Sequence, residues 1–114
     1  MARNRALAAC DVEVLALVED DVAVDPGWLG ALANAWVGAD ESLACVGGPL
    51  RAAFLAGRPA WLSDDLLDAF ATLDLGDEPA GVDPRERTFH GGNVSFRASA
   101  LRAIGGFWPA RGHP

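Results

Sequence analysis

Apolar residues along this chain fall into short runs broken by Gly, Pro and Asp clusters, and the spacing within the runs changes from one to the next. Residues 1–9 carry Ala, Leu and Arg, all good helix formers, and predict a helix. After Asp11 the pattern becomes Val14-Leu15-Ala16-Leu17-Val18, continuously apolar and partly β-branched, which predicts a strand covered on both faces in a parallel or mixed sheet. That strand ends abruptly in Glu19-Asp20-Asp21. Asp25-Pro26-Gly27-Trp28 then reads as a helix start, with Asp25 as cap and Pro26 at the first helical position, where its missing N–H costs nothing. Trp28, Leu32 and Trp36 follow at i, i+4 and i+8 as a core-facing stripe, and Gly38 closes the helix.

Residues 43–50 form a second apolar run that stops at a Gly-Gly-Pro turn, another short buried strand. Between 51 and 86 the pattern weakens. Trp61-Leu62 precedes an acidic helical stretch near 63–70, and residues 76–87, rich in Gly, Pro and charge, predict a loop or lid. Residues 89–97 regain β character around Gly91-Gly92, and 99–104 predict a short helix ended by Gly105-Gly106. Helices alternating with strands indicate an α/β fold, with residues 1–114 as one domain or part of one.

Composition narrows the function classes. The formal charge of −7, with 9 Arg and no Lys, gives no basic footprint for nucleic acid. The longest uncharged apolar run is too short to span a bilayer, and no basic segment precedes a secretory core. A cytoplasmic location is therefore expected, with a peripheral place at the inner membrane surface left open. Cys10 and Cys45 lack metal or redox spacing and are expected to be two buried, reduced thiols.

Glu19-Asp20-Asp21 is the strongest chemical candidate, because α/β sheets place ligand crevices at the C-terminal ends of strands. In an extended segment Glu19 and Asp21 would share one side and Asp20 the other. Two close carboxylates call for a cation, and oxygen ligands suit Mg²⁺ or Mn²⁺, with substrate phosphates completing the shell. The residues alone equally allow three solvated acids facing the N-terminus of the next helix. A calcium loop does not fit, since Val22, Ala23 and Val24 break the ligand spacing.

Ala2-Arg3-Asn4-Arg5-Ala6-Leu7, then Leu17-Val18-Glu19-Asp20-Asp21-Val22 and Pro26-Gly27-Trp28-Leu29, resemble family 2 glycosyltransferases. Val46-Gly47-Gly48, Pro59-Ala60-Trp61-Leu62 and Gly91-Gly92-Asn93-Val94-Ser95-Phe96-Arg97 through Gly105-Gly106-Phe107 extend the resemblance in the same order over nearly the whole chain. The resemblance implies a partial GT-A (nucleotide-diphospho-sugar transferase-like) fold, a mixed sheet flanked by helices. It also implies metal-dependent, inverting transfer of a sugar from a nucleoside-diphosphate sugar to a hydroxyl on a glycan, lipid-linked or small-molecule acceptor.

By that resemblance Asp21 would hold the metal, Asp20 and Glu19 would contact metal water, ribose or donor sugar, and Arg3 would face the diphosphate. Glu19 stands where the family commonly has Asp. Gly91, Gly92 and Asn93 would line donor sugar and acceptor, and Trp61 would offer an aromatic platform. The family's N-terminal nucleotide-binding portion has no counterpart here, and its general base is expected beyond Pro114, so a fragment is expected, self-associating through exposed sheet edges. A non-catalytic remnant or interaction domain, and a nucleotidyltransferase of related fold, are the competing classes.

Overall fold

The computed structural model describes residues 2–83, 85–86 and 88–108. Its elements are α1 (Ala2–Ala9), β1 (Val14–Leu17), α2 (Trp28–Trp36), β2 (Cys45–Gly47), a 3-10 helix (Asp64–Phe70), β3 (Val94–Arg97) and α3 (Ala98–Ala103). The strand order is β1-β3-β2, so the last strand in sequence is central. The Arg97 N–H donates to Ala44 O at 2.9 Å and the Gly48 N–H donates to Asn93 O at 3.1 Å. Residue numbers therefore fall along one strand as they rise along the other, the antiparallel pattern. The Ala98 N–H donates to Glu13 O at 2.8 Å, which fits the same sense for β1.

The result is a small α/β arrangement whose described strands pair antiparallel, in place of the mixed sheet expected. The strands also differ from expectation in burial. Val14, Leu15 and Leu17 are half-buried and Ala16 is exposed, and Cys45, Val46 and Gly47 are all half-buried. Both belong to edge strands, which have a neighbour on one side only. The chain divides into two compact units, the first formed by Met1–Ala16, Val24–Val46 and Ser95–Pro114, the second by Leu17–Ala23 and Gly47–Val94.

In the first unit Leu7, Ala98 and Leu101 are buried together, with Leu15, Phe96 and Phe107 packed against them. Phe96 and Phe107 meet edge to face, their centroids 5.6 Å apart. Asn4 ties α1 to the segment after α3: its Nδ2 donates to Phe107 O at 2.7 Å and its Oδ1 accepts from the Phe107 N–H at 2.7 Å. That approach requires glycine at 106, where a Cβ would stand 2.8 Å from Asn4 Oδ1 and φ is +87°. The Gly106 N–H reaches back to Leu101 O at 2.8 Å, closing α3 as the Gly-Gly pair predicts.

The α2 boundaries follow local chemistry. Asp25 Oδ1 accepts from the Gly27 N–H at 2.8 Å in the turn before the helix, but the helix begins at Trp28 with Gly27 as its cap and no side-chain capping bond, so Asp25 and Pro26 stand one turn earlier than expected. Gly38, with φ +72°, follows the helix in the left-handed region, as predicted. The Trp28, Leu32 and Trp36 stripe is half-buried, and α2 contains no buried residue. Trp36 Nε1 donates to Ser95 Oγ at 2.9 Å, and Ser95, fully buried, passes its own proton to Val46 O at 3.1 Å. The Arg97 guanidinium lies 5.3 Å from the Trp36 ring centroid and donates to Leu43 O and Asp40 O.

The second unit rests on fewer anchors. Leu62 and Val94 are buried, Phe54 meets Phe70 edge to face at 6.5 Å, and Leu50 and Leu73 form an antiparallel bridge. The predicted acidic helix exists as the 3-10 helix, held at its start by the Arg58–Asp64 ion pair of 2.8 Å. Asp74 receives Arg51 at 2.8 Å and the Gly76 N–H at 3.1 Å. Of the predicted loop at 76–87, the described residues form turns and bends without helix or strand; Pro84 and Arg87 lie outside the described residues.

Candidate functional site

The acids at the end of β1 occupy a turn. The Val22 N–H donates to Glu19 O at 3.2 Å, which places Asp20 and Asp21 at the corner, and all three acids are exposed. Asp is at home there because its short side chain tolerates turn backbone. The expected alternation of an extended strand, with Glu19 and Asp21 on one side, is therefore replaced by turn geometry: β1 stops at Leu17, two residues before the first acid.

A second turn faces it within the same unit. The Asn93 N–H donates to His90 O at 3.3 Å, putting Gly91 and Gly92 at that corner. Gly92 is buried, and a Cβ there would come within 3.1 Å of Val22 Cγ2 and 3.2 Å of both Leu50 δ-methyls. Its φ is not left-handed, so close approach, rather than backbone freedom, is what glycine supplies. The end of β2 and the residue after it are tighter still. A Cβ on Gly47 would fall inside the Phe89 ring, and one on Gly48 would lie 2.5 Å from Asn93 Nδ2.

Asn93 works inward as well as at the surface: its Nδ2 donates to Pro49 O at 2.9 Å while its carbonyl takes the Gly48 N–H. Of the Gly91, Gly92 and Asn93 predicted from sequence, Gly92 is thus brought against Val22, the residue after the acid triplet. Trp61 precedes the buried Leu62 and is itself 71 % exposed, so Leu62 is the anchor of that segment and Trp61 the free aromatic face. Arg3 is exposed on α1, in the other unit.

Among the described residues no group of three or more His, Cys, Asp or Glu converges to hold a metal ion. The donor set of the acid turn is nonetheless oxygen-only and exposed, which suits a hard cation that takes one or two carboxylates and completes its shell from phosphate and water. Other ionisable groups play structural parts. Asp40 is held below the ordinary carboxylate range by its bonds from Ser42, and Asp74 by the Gly76 N–H and Arg51. Burial pushes the Cys45 thiol up to about 11. The expectation of two buried thiols is not met: Cys45 is half-buried, and Cys10, just past the end of α1, is exposed.

Sequence reading missed Asn4, Gly48 and Ser95. Asn4 stood in the quoted Arg3-Asn4-Arg5 segment, and Gly48 in the Gly47-Gly48 pair, but their partners lie 103 and 45 residues away in the chain. No local pattern announces such pairings.

No protein-family model matches the chain, and no solved structure matches it. It is similar to the pre-mycofactocin glycosyltransferase of Mycobacterium tuberculosis, in strain CDC 1551 / Oshkosh and in strain ATCC 25618 / H37Rv, at 32% identity over 108 residues in each case. That alignment takes in 93% of this chain but 22% of the relative, so the chain spans about a fifth of the length of the proteins it matches. No described helix is long and apolar enough to cross a membrane. What the chain matches is therefore one segment of a glycosyltransferase.

Proposed function

We propose that this chain is the diphosphate and acceptor-side segment of a glycosyltransferase that transfers a sugar from a nucleoside-diphosphate sugar to a hydroxyl acceptor. The observation that carries the class is the 32% identity to a named glycosyltransferase across 93% of the chain. The packing of Gly92 on Val22, which sets the glycine turn beside the acid turn, supports the site.

In this reading Asp21 holds a Mg²⁺ or Mn²⁺ ion, which when bound neutralises charge on the departing diphosphate. Asp20 and Glu19 orient metal water, ribose or donor sugar from the same turn. Gly91 lets a sugar approach the backbone, Gly92 packs against Val22 behind the acid turn, and Asn93 brings amide donor and acceptor groups to the donor-sugar and acceptor side. Trp61 gives an apolar face for a sugar ring, and Arg3 a guanidinium for phosphate oxygens. A general base for the acceptor hydroxyl is assigned to none of these residues.

The test is to incubate the protein with UDP-, GDP- and dTDP-sugars and Mn²⁺, alongside an Asp21→Ala variant. Binding of nucleotide-sugar and Mn²⁺ that depends on Asp21 is the expected result. In a parallel incubation with nucleoside triphosphates and a sugar phosphate, release of pyrophosphate would instead mark a nucleotidyltransferase. Absence of both release and nucleotide-sugar binding would leave a non-catalytic interaction domain.

A further inference from the structure

The acid turn has no buried side chain of its own. Glu19, Asp20 and Asp21 are all exposed, and across the turn the Val22 N–H donates to Glu19 O at 3.2 Å. Val22 is half-buried, and its Cγ2 lies against Gly92, which is buried. The same Cβ position at 92 is bounded by both δ-methyls of Leu50, whose backbone is fixed by paired bonds with Leu73 at 2.7 and 2.8 Å. The glycine turn is in turn pinned through Asn93, which bonds Pro49 O and the Gly48 N–H.

We infer that Gly92 and Asn93 are positioning residues, forming with Leu50 a clamp that sets the acid turn through Val22. The inference rests on the proposed function only for what the turn is used for. Space at Gly92 is limited to a few tenths of an ångström on the Val22 side and the Leu50 side alike. The Leu50 δ-methyls end a side chain with two rotatable bonds and yield by rotation, whereas Val22 Cγ2 is one bond from its Cβ on a stiff β-branched side chain, so a methyl added at 92 presses on the Val22 backbone. Since Val22 supplies the N–H that closes the turn, Asp20 and Asp21 move with it. Supporting contacts of this kind hold ligand carboxylates in place at metal sites, and their loss typically weakens affinity by 10- to 100-fold.

The experiment compares the wild-type chain with Gly92→Ala, Gly92→Ala/Val22→Ala and Gly92→Ala/Leu50→Ala. Backbone amide NMR shifts are recorded without metal, and Mn²⁺ affinity is then measured with UDP or GDP present. Expected are displaced Asp20 and Asp21 amides in Gly92→Ala, restored in the variant that also carries Val22→Ala, with Mn²⁺ affinity about tenfold weaker and recovering in parallel. Asp20 and Asp21 amides unmoved in folded Gly92→Ala, or restored by Leu50→Ala and not by Val22→Ala, would overturn the clamp. If the wild type binds no Mn²⁺ the metal role falls, and the metal-free shifts still decide the clamp. An Asn93→Ala variant, which removes the bond to Pro49 O without adding bulk, is expected to move the same two amides.

Discussion

The two units of this molecule are stabilised by different means. The first draws on packed apolar side chains and long-range polar contacts: Leu7, Ala98 and Leu101 buried together, Asn4 bonded twice to Phe107, and Trp36, Ser95 and Val46 joined in a chain. The second holds its loops with glycines that permit close approach, two buried apolar residues and exposed ion pairs. The proposed metal-binding acids lie in the second. A scaffold of the first kind resists change, whereas a site on turns can be altered without unfolding the chain.

That contrast breaks most readily in the first unit. Leu101→Ala removes a buried side chain from the contact of α1 with α3 and is expected to cost about 3 kcal/mol. A chemical denaturation midpoint unchanged from wild type would show that this core is not what holds the unit. Ser95→Ala leaves the Trp36 indole N–H without its acceptor and is expected to cost about 2 kcal/mol. Fluorescence of the half-buried Trp36 indole should shift as well, and a loss below about 0.5 kcal/mol would mean that the polar chain contributes little.

A smaller effect separates the two thiols. The Cys45 thiol, raised by burial from 9.0 to about 11, favours the folded state while it stays neutral. Its contribution is complete below pH 9 and is lost as pH rises toward 11, because the unfolded thiol ionises first. A denaturation series should therefore show stability falling across that window, and falling less in Cys45→Ala. Alkylation of the native chain should mark the exposed Cys10 well before Cys45.

Local signals made much of the first unit legible. Alanine and leucine gave α1, Asp25 with Pro26 and Gly38 bracketed α2, and Gly105-Gly106 ended α3 one residue from where the pattern placed it. The site was legible as residues but less so as geometry. The triplet Glu19-Asp20-Asp21 does not end the strand itself but follows it after Val18, in a turn across which the Val22 N–H bonds Glu19 O. Val22 in turn meets Gly92, 70 positions further along the chain. Half-burial of the Trp28 and Trp36 stripe was equally invisible, since helical periodicity reports which face is apolar and not how completely it is covered.

The central claim is tested most directly by calorimetric titration of Mn²⁺ with UDP or GDP into the wild-type chain and into Asp21→Ala, with a thermal melt of each. The predicted result is metal-dependent nucleotide binding that weakens at least tenfold in Asp21→Ala, whose melting temperature stays that of the wild type because Asp21 is exposed. Equal binding by the two chains, or none by the folded wild type, would contradict it.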